Sequence, residues 1–195
     1  MINRKTVNEI ALRFTWRKPV AKLLDFWWKM RSKRLAKHLL PYIPKGAHVL
    51  DIGSGSGILA KEISLYAEVQ LLDVIDWNIT DLPLVLFDGK RIPYADKQFD
   101  IALLVDVLHH SENEEELLRE AHRVAKKVVV LEEAHDSKYM KIWANINDNL
   151  QWLLYGMPLG LHHRSKERWS AFLGGFCSEV QCHTEYFGHA IYTME

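Results

Sequence analysis

The stretch "VLDIGSGSGILAKE", residues 49–62, constrains this chain more than any other. A short apolar run ends in an acid. Three glycines then alternate with serines, and a helix-forming segment follows. Glycine at 53, 55 and 57 permits backbone angles closed to other residues and brings the main chain close to a neighbour. A strand, a tight glycine turn and a helix start in that order form one half of a parallel β-α-β unit.

The pattern continues along the chain. "GAHVLDIG" is expected as a first strand, "SGILAKEISLYA" as a helix and "EVQLLDV" as a second strand. "LPLVLFDG" gives a third strand and "FDIALLVDVL" a fourth. "NEEELLREAHRVA" is expected as a helix with acids near its positive end, and "KKVVVLEEA" as a fifth strand. Near-continuous apolar strands alternating with helices predict a mostly parallel sheet covered on both faces. The C-terminal segments "CSEVQCHTEYF" and "HAIYTM" are expected to add an antiparallel pair. The fold class is therefore α/β, Rossmann-like and doubly wound, with seven strands.

The flanks differ from this core. From Pro19 to Leu40 apolar residues recur at helical spacing, and Pro41 stops the pattern. A second helix is expected around Lys138 to Tyr155, with Tyr139, Ile142, Trp143, Ile146, Leu150 and Leu153 at core spacing, and a third over Lys166 to Leu173. One domain accounts for 1–195. Residues 1–46 form a helical arm or lid and 47–135 a ligand-binding core. Residues 136–175 form a helical insert and 176–195 the closing strand pair.

Composition narrows the function classes. Of 25 basic and 25 acidic residues, residues 1–48 hold twelve basic and two acidic, leaving thirteen and twenty-three for the remainder. A basic arm on an acidic body docks by complementarity or meets an anionic partner. The arm pairs Trp and Leu with Lys and Arg, as an interfacial helix does, so peripheral membrane contact is one expectation. No apolar run reaches membrane-spanning length, and the N-terminal residues lack a signal-peptide core. Two cysteines, Cys177 and Cys182, argue against a disulfide framework and a zinc site. A cytoplasmic setting and no bound metal are expected.

The glycine turn lacks a glycine at position 58, which a dinucleotide fingerprint wants, and lacks the Lys-Ser/Thr of a phosphate loop. Its company points elsewhere. Asp73, Asp88 and Asp106 stand at the ends of the second, third and fourth strands, the edge at which such sheets bind ligands. An acidic lining of low dielectric suits a cation better than a pyrophosphate.

"VLDIGSGSG", "VQLLDV", "FDGKRIPYADKQFDIALLVDVLHH" and "EEELLREAHRVAKKVVVLEE" resemble the motifs of class I S-adenosylmethionine-dependent methyltransferases. The likeness is to the small-molecule branch that includes the ubiquinone and menaquinone biosynthesis methylases, and it covers residues 47–135. It implies S-adenosyl-L-methionine as cofactor. It implies that Asp51, Gly53, Ser54, Gly55 and Gly57 line the methionine end, and that Asp73 with Val74 holds the ribose hydroxyls. Asp88 with Gly89 would meet the adenine, and Val105, Asp106 and Val107 the sulfonium side. Only fourteen residues separate Asp73 from Asp88, so the helix usual there is a turn or is lost, and Ile75 or Trp77 supplies the adenine wall. Asp76 is a competing ribose ligand.

Methyl transfer needs a base only if the acceptor loses a proton, and histidine suits that near neutrality. His135 is the first candidate, with His110 beside it. His109 is expected to fix its loop, His162 and His163 to be loop residues, and Glu132 and Glu133 to act as caps or surface groups. Six of seven tryptophans lie outside residues 47–135, which favours a planar or apolar acceptor methylated on oxygen or carbon. A small-molecule acceptor is the partner expected, with no nucleic acid. Two rival readings are a silent cofactor-binding protein and an RNA methylase using the basic arm.

Overall fold

The computed structural model describes residues 18–134, 139, 142, 146, 163–177, 179–186 and 188–195. The N-terminal helix α1 spans Lys18–Leu39 and ends in a single 3-10 turn at Leu40–Tyr42, where Pro41 forbids continuation. Strand β1 is His48–Ile52, followed by helix α2 at Ile58–Ile63. Strands β2 (Glu68–Asp73), β3 (Leu84–Leu86) and β4 (Phe99–Val105) follow. Helix α3 is Glu114–Val124 and strand β5 Ala125–Glu133. Helix α4 (Lys166–Leu173) and strands β6 (Val180–Tyr186) and β7 (His189–Met194) complete the described elements.

The seven strands form one sheet in the order β3-β2-β1-β4-β5-β7-β6. Strands β1 to β5 pair in parallel, and β7 inserts antiparallel between β5 and β6. This is the doubly wound arrangement expected, with the order reversing between β1 and β4. Such a switch point leaves a crevice at the C-terminal strand ends. The antiparallel β7 brings its N-terminal residue to the same edge, because His189 pairs with Glu133.

Two cores cover the two faces. One joins α1 through Leu35, Ala36 and Leu39 to Val49, Ile101 and Val129. The other joins α3 and α4, through Leu118, Trp169 and Leu173, to Leu50, Leu104 and Val130. Arg164 locks the return into α4: it pairs with both carboxylate oxygens of Glu114 at the start of α3 and lies over the Trp169 and Phe172 rings.

Two details differ from expectation. Helix α2 has only six residues, because Gly57 opens it late and Ser64 closes it. Tyr139, Ile142 and Ile146 are 85, 49 and 55% exposed rather than packed in a core. The rest of the 138–155 helix, with His135, His162, Trp143 and Trp152, lies outside the described residues, as does Trp16. The β2–β3 connection holds no helix, as its length required. Among the described residues no helix is long and apolar enough to cross a membrane.

Candidate functional site

Strand β1 runs into the glycine turn, and most of the turn's donors are already spent. The N–H groups of Gly53 and Ser54 donate to the Leu72 carbonyl, and that of Gly57 to Ser54. Gly55 N–H donates to Asp73 Oδ2 at 2.8 Å. A phosphate cradle needs such donors free, so the turn is ill suited to an anion. Gly53, Gly55 and Gly57 all have positive φ. A Cβ on Gly53 would stand 2.5 Å from Val107 Cγ2, whereas one on Gly55 would meet nothing within 4 Å. Gly55 thus borders open space, and Ser54 Oγ beside it is buried without a hydrogen-bond partner among the described residues.

Asp73 faces this turn. Its Oδ1 accepts from the N–H of Val74 and Ile75, at 2.7 and 3.1 Å. Burial raises its pKa against the pull of these three N–H donors. Asp51 is buried on the neighbouring strand, and burial plus the Asp73 charge push its pKa up to about 7. Two carboxylates with raised pKa beside an uncharged turn favour a cation as guest. The segment that replaces the missing helix packs on the same turn: Ile79 N–H donates to Ser56, and the Asn78 amide oxygen accepts from Thr80. Ile75, Asp76 and Trp77 are half-buried there.

Asp88 lies apart from this cluster. It is exposed, and its Oδ1 accepts from Lys90 and Arg91 N–H, which holds its pKa down. Gly89 beside it has φ +78°, and a Cβ added there would stand 3.3 Å from Val74 Cγ1.

The end of β4 is held by β5. Glu132 is wholly buried, not a surface group or cap as expected. Its Oε1 accepts from Val107 and Leu108 N–H at 3.0 and 2.7 Å, and its Oε2 lies 2.6 Å from His109 Nδ1. Burial lowers the His109 pKa, but Glu132 outweighs it and lifts the value to about 9. His109 is a loop anchor, and the His110 ring lies tilted against it, ring centroids 4.0 Å apart.

Asp106 sits between, at φ +53°. Its carboxylate meets the Arg31 guanidinium of α1, and His189 Nε2 lies 3.4 Å from its other oxygen. Burial would raise the Asp106 pKa, but His189 and Arg31 overcome this and hold it well below the usual carboxylate range. Ligand atoms of Asp106, His109 and Glu132 lie within 4.8 Å of one another, and each is committed to a protein donor or acceptor already described. Sequence reasoning missed Arg31 and His189, because neither belongs to a local motif.

A separate cleft of about 700 Å³ opens between Lys90–Arg91 and the start of α3. It holds none of the strand-end carboxylates, so the donor set rather than its size decides the site.

The methyltransferase-domain family matches residues 50–131, the span holding the glycine turn, Asp73 and the β4 end. That match is to a methyltransferase domain, and with the relatives and fold neighbours that follow it supports a class I S-adenosylmethionine-dependent methyltransferase. The ubiquinone/menaquinone biosynthesis C-methyltransferase UbiE of Cupriavidus metallidurans is 32% identical over 116 residues, covering 50% of this chain and 45% of that protein. The tRNA (carboxymethyluridine(34)-5-O)-methyltransferase of Schizosaccharomyces pombe is 26% identical, covering 49% and 43%. The chain therefore spans less than half the length of these curated relatives. A Thermotoga maritima SAM-dependent methyltransferase shares the fold with a TM-score of 0.67 at 17% identity, over 95% of this chain and 97% of that one. The methyltransferase chain of a Haloferax volcanii complex with the Trm112 activator does so at 0.63 and 14%, over 89% and 94%.

The open space at Gly55, the orphaned Ser54 hydroxyl and the carboxylate pair fit the cationic, phosphate-free cofactor of this class.

Proposed function

We propose that the chain transfers a methyl group from S-adenosyl-L-methionine to a small acceptor, aromatic or apolar, on oxygen or carbon. The observation that carries this reading is Asp73 turned onto Gly55, across a bend whose own donors are largely consumed. Asp51, Gly53, Ser54, Gly55 and Gly57 hold the methionine end. Asp73 and Val74 meet the ribose, Asp88 and Gly89 the adenine, and Val105, Asp106 and Val107 the sulfonium. A carboxylate offers about four acceptor positions. Asp73 spends three on backbone N–H groups, so it has room for one ribose hydroxyl rather than two. The cofactor supplies an activated methyl, and the protein's work is to orient the acceptor and exclude water. Residues 1–46 and 136–175 cover the acceptor side of a single domain, and 176–195 complete its sheet.

Calorimetry with S-adenosylmethionine and its demethylated product is the first test. Binding of both is expected, and no heat with either removes the reading. A panel of small acceptors, scored for demethylated product, then separates a transferase from a silent binder.

RNA is the second reading. The tRNA-modifying relative favours it, as do Lys29, Lys33, Arg34 and Lys37, all exposed on α1. Labelled methyl appearing in total tRNA, and in no small molecule, would establish it. The same basic face supports peripheral contact with an anionic membrane. Co-sedimentation with anionic liposomes at low salt is expected, and absence of binding discards that contact.

A further inference from the structure

Arg31 of α1 pairs through Nη2 with the Asp106 carboxylate at the end of β4. The backbone around Asp106 is fixed against its neighbours. Its N–H donates to the Leu131 carbonyl, and that of Val107 to Glu132. Val107 in turn fills the space beside Gly53, so Asp106 borders the glycine turn. The β1–β4 register aligns Ile52 with Leu104, and Ser54 and Asp106 each stand two residues beyond that pair. The two partners of the carboxylate are held differently. His189, 3.4 Å from Asp106 Oδ1, opens β7, which lies inside the sheet between β5 and β6. Arg31 stands where α1 stops being buried. Among the described residues, the buried ones of α1 all follow it, at Ser32, Leu35, Ala36 and Leu39. Before it, Lys29 and Met30 are exposed and Trp28 is half-buried. The Trp28 ring centroid lies 5.6 Å from the Arg31 guanidinium carbon, so the two side chains travel together. Of the two cations, Arg31 is the one free to leave.

We propose that Arg31 is the residue by which the protein tells the charged, methylated cofactor from its neutral, demethylated form: it releases Asp106 to the positive charge and takes it back once that charge is gone. This rests on the methyltransferase reading above, in which Asp106 serves the sulfonium side. A cation at this edge needs the same carboxylate and is repelled by the guanidinium, whereas a neutral guest of the same shape is not. A ligand shifts an equilibrium only by its differential affinity for the two states, and here the difference is one charge. Methyl transfer removes that charge, because sulfur keeps the pair of the broken carbon–sulfur bond while the acceptor's pair forms the new bond to the methyl carbon. Release of Arg31 frees Trp28 and the helix before it. The arm read above as covering the acceptor side therefore loosens with the charged cofactor and settles with the neutral one.

Hydrogen exchange of the α1 amides, read by mass spectrometry on the full chain saturated with S-adenosylmethionine or with its demethylated product, is the first test. Faster exchange in α1 is expected with S-adenosylmethionine. Calorimetry supplies the second. Arg31→Gln is expected to raise the affinity ratio of S-adenosylmethionine over demethylated product by about fivefold or more, the lower end of ordinary coupling between sites. The same variant is expected to remove the exchange difference. An arginine that only packs the helix would change both affinities together and leave their ratio alone. Equal or slower exchange with S-adenosylmethionine, or an unmoved ratio in Arg31→Gln, overturns the inference while leaving the methyltransferase reading intact. Failure of both ligands to bind the parent protein ends both.

Discussion

His109 Nδ1 and Glu132 Oε2 lie 2.6 Å apart, closed off from solvent behind the end of β4. The raised His109 pKa makes this pair a pH-dependent part of the fold. Protonated His109 is favoured when folded, with a pKa of about 9 against the ordinary 6.5. Its contribution is full below about pH 6.5 and is lost as pH rises through about 9. Urea unfolding between pH 6 and 10 is expected to show that decline, and His109→Asn to flatten it. Glu132→Leu strands two N–H groups and an imidazole, costing roughly 3 kcal/mol or more.

Gly53 and Gly55 separate packing from binding. Alanine at either pays for a positive φ, about 1–2 kcal/mol. At 53 it also collides with Val107, adding about 1–3 kcal/mol of overpacking. At 55 it meets only open space. Gly53→Ala is therefore expected to lower the melting temperature more. Gly55→Ala is expected to melt closer to the parent and lose affinity for demethylated cofactor. Paired thermal melts and calorimetry check this, and equal behaviour of the two variants would remove the distinction.

Asp51, proposed above to line the methionine end of the cofactor site, has its pKa pushed up to about 7, so binding there is expected to depend on pH. In the free protein a raised carboxylate pKa favours the acid form, so its share of stability is full below about pH 3.8 and is lost as pH rises through 7. A cationic guest prefers the ionised form. Affinity for S-adenosylmethionine is expected to rise from pH 6 to 8, by at most about tenfold per pH unit for one proton released. Calorimetry in buffers of different ionisation enthalpy reads the proton directly, and Asp51→Asn is expected to abolish it.

Local pattern carried much of this fold into view. The glycine turn, the Asp73 strand end and the five parallel strands each announce themselves within a dozen residues. The lost helix followed from counting residues between Asp73 and Asp88. What escaped depended on distance. Arg31 and His189 stand 158 positions apart and meet only because β7 inserts against β5 with its first residue at the ligand edge. Glu132 stands next to last in an apolar strand, where an acid reads as a cap. Its burial is visible only once the β4 loop folds its N–H groups over it. Tyr139, Ile142 and Ile146 keep core spacing yet are exposed, because spacing defines a face and not what covers it.

Arg164 and Glu114 supply the last test. The insert returns to the sheet at residue 164, where Arg164 bridges to Ala134 at the end of β5. Its guanidinium makes a two-pronged pair with Glu114, one prong at 2.6 Å, and stacks over Trp169 and Phe172. Lysine keeps the charge but has neither the planar fork nor the stacking face. Arg164→Lys is therefore expected to destabilise by about 1–3 kcal/mol, close to the cost of losing a charged hydrogen bond. Arg164→Ala leaves Glu114 unpaired and is expected to cost more, about 3–5 kcal/mol if the site behaves as fully buried. Both side chains retain some solvent contact, 20% and 10% exposed, which puts the expected value at the lower end. Chemical unfolding of the two variants measures the difference, and a lysine variant as stable as the parent would show that charge alone holds the insert's return.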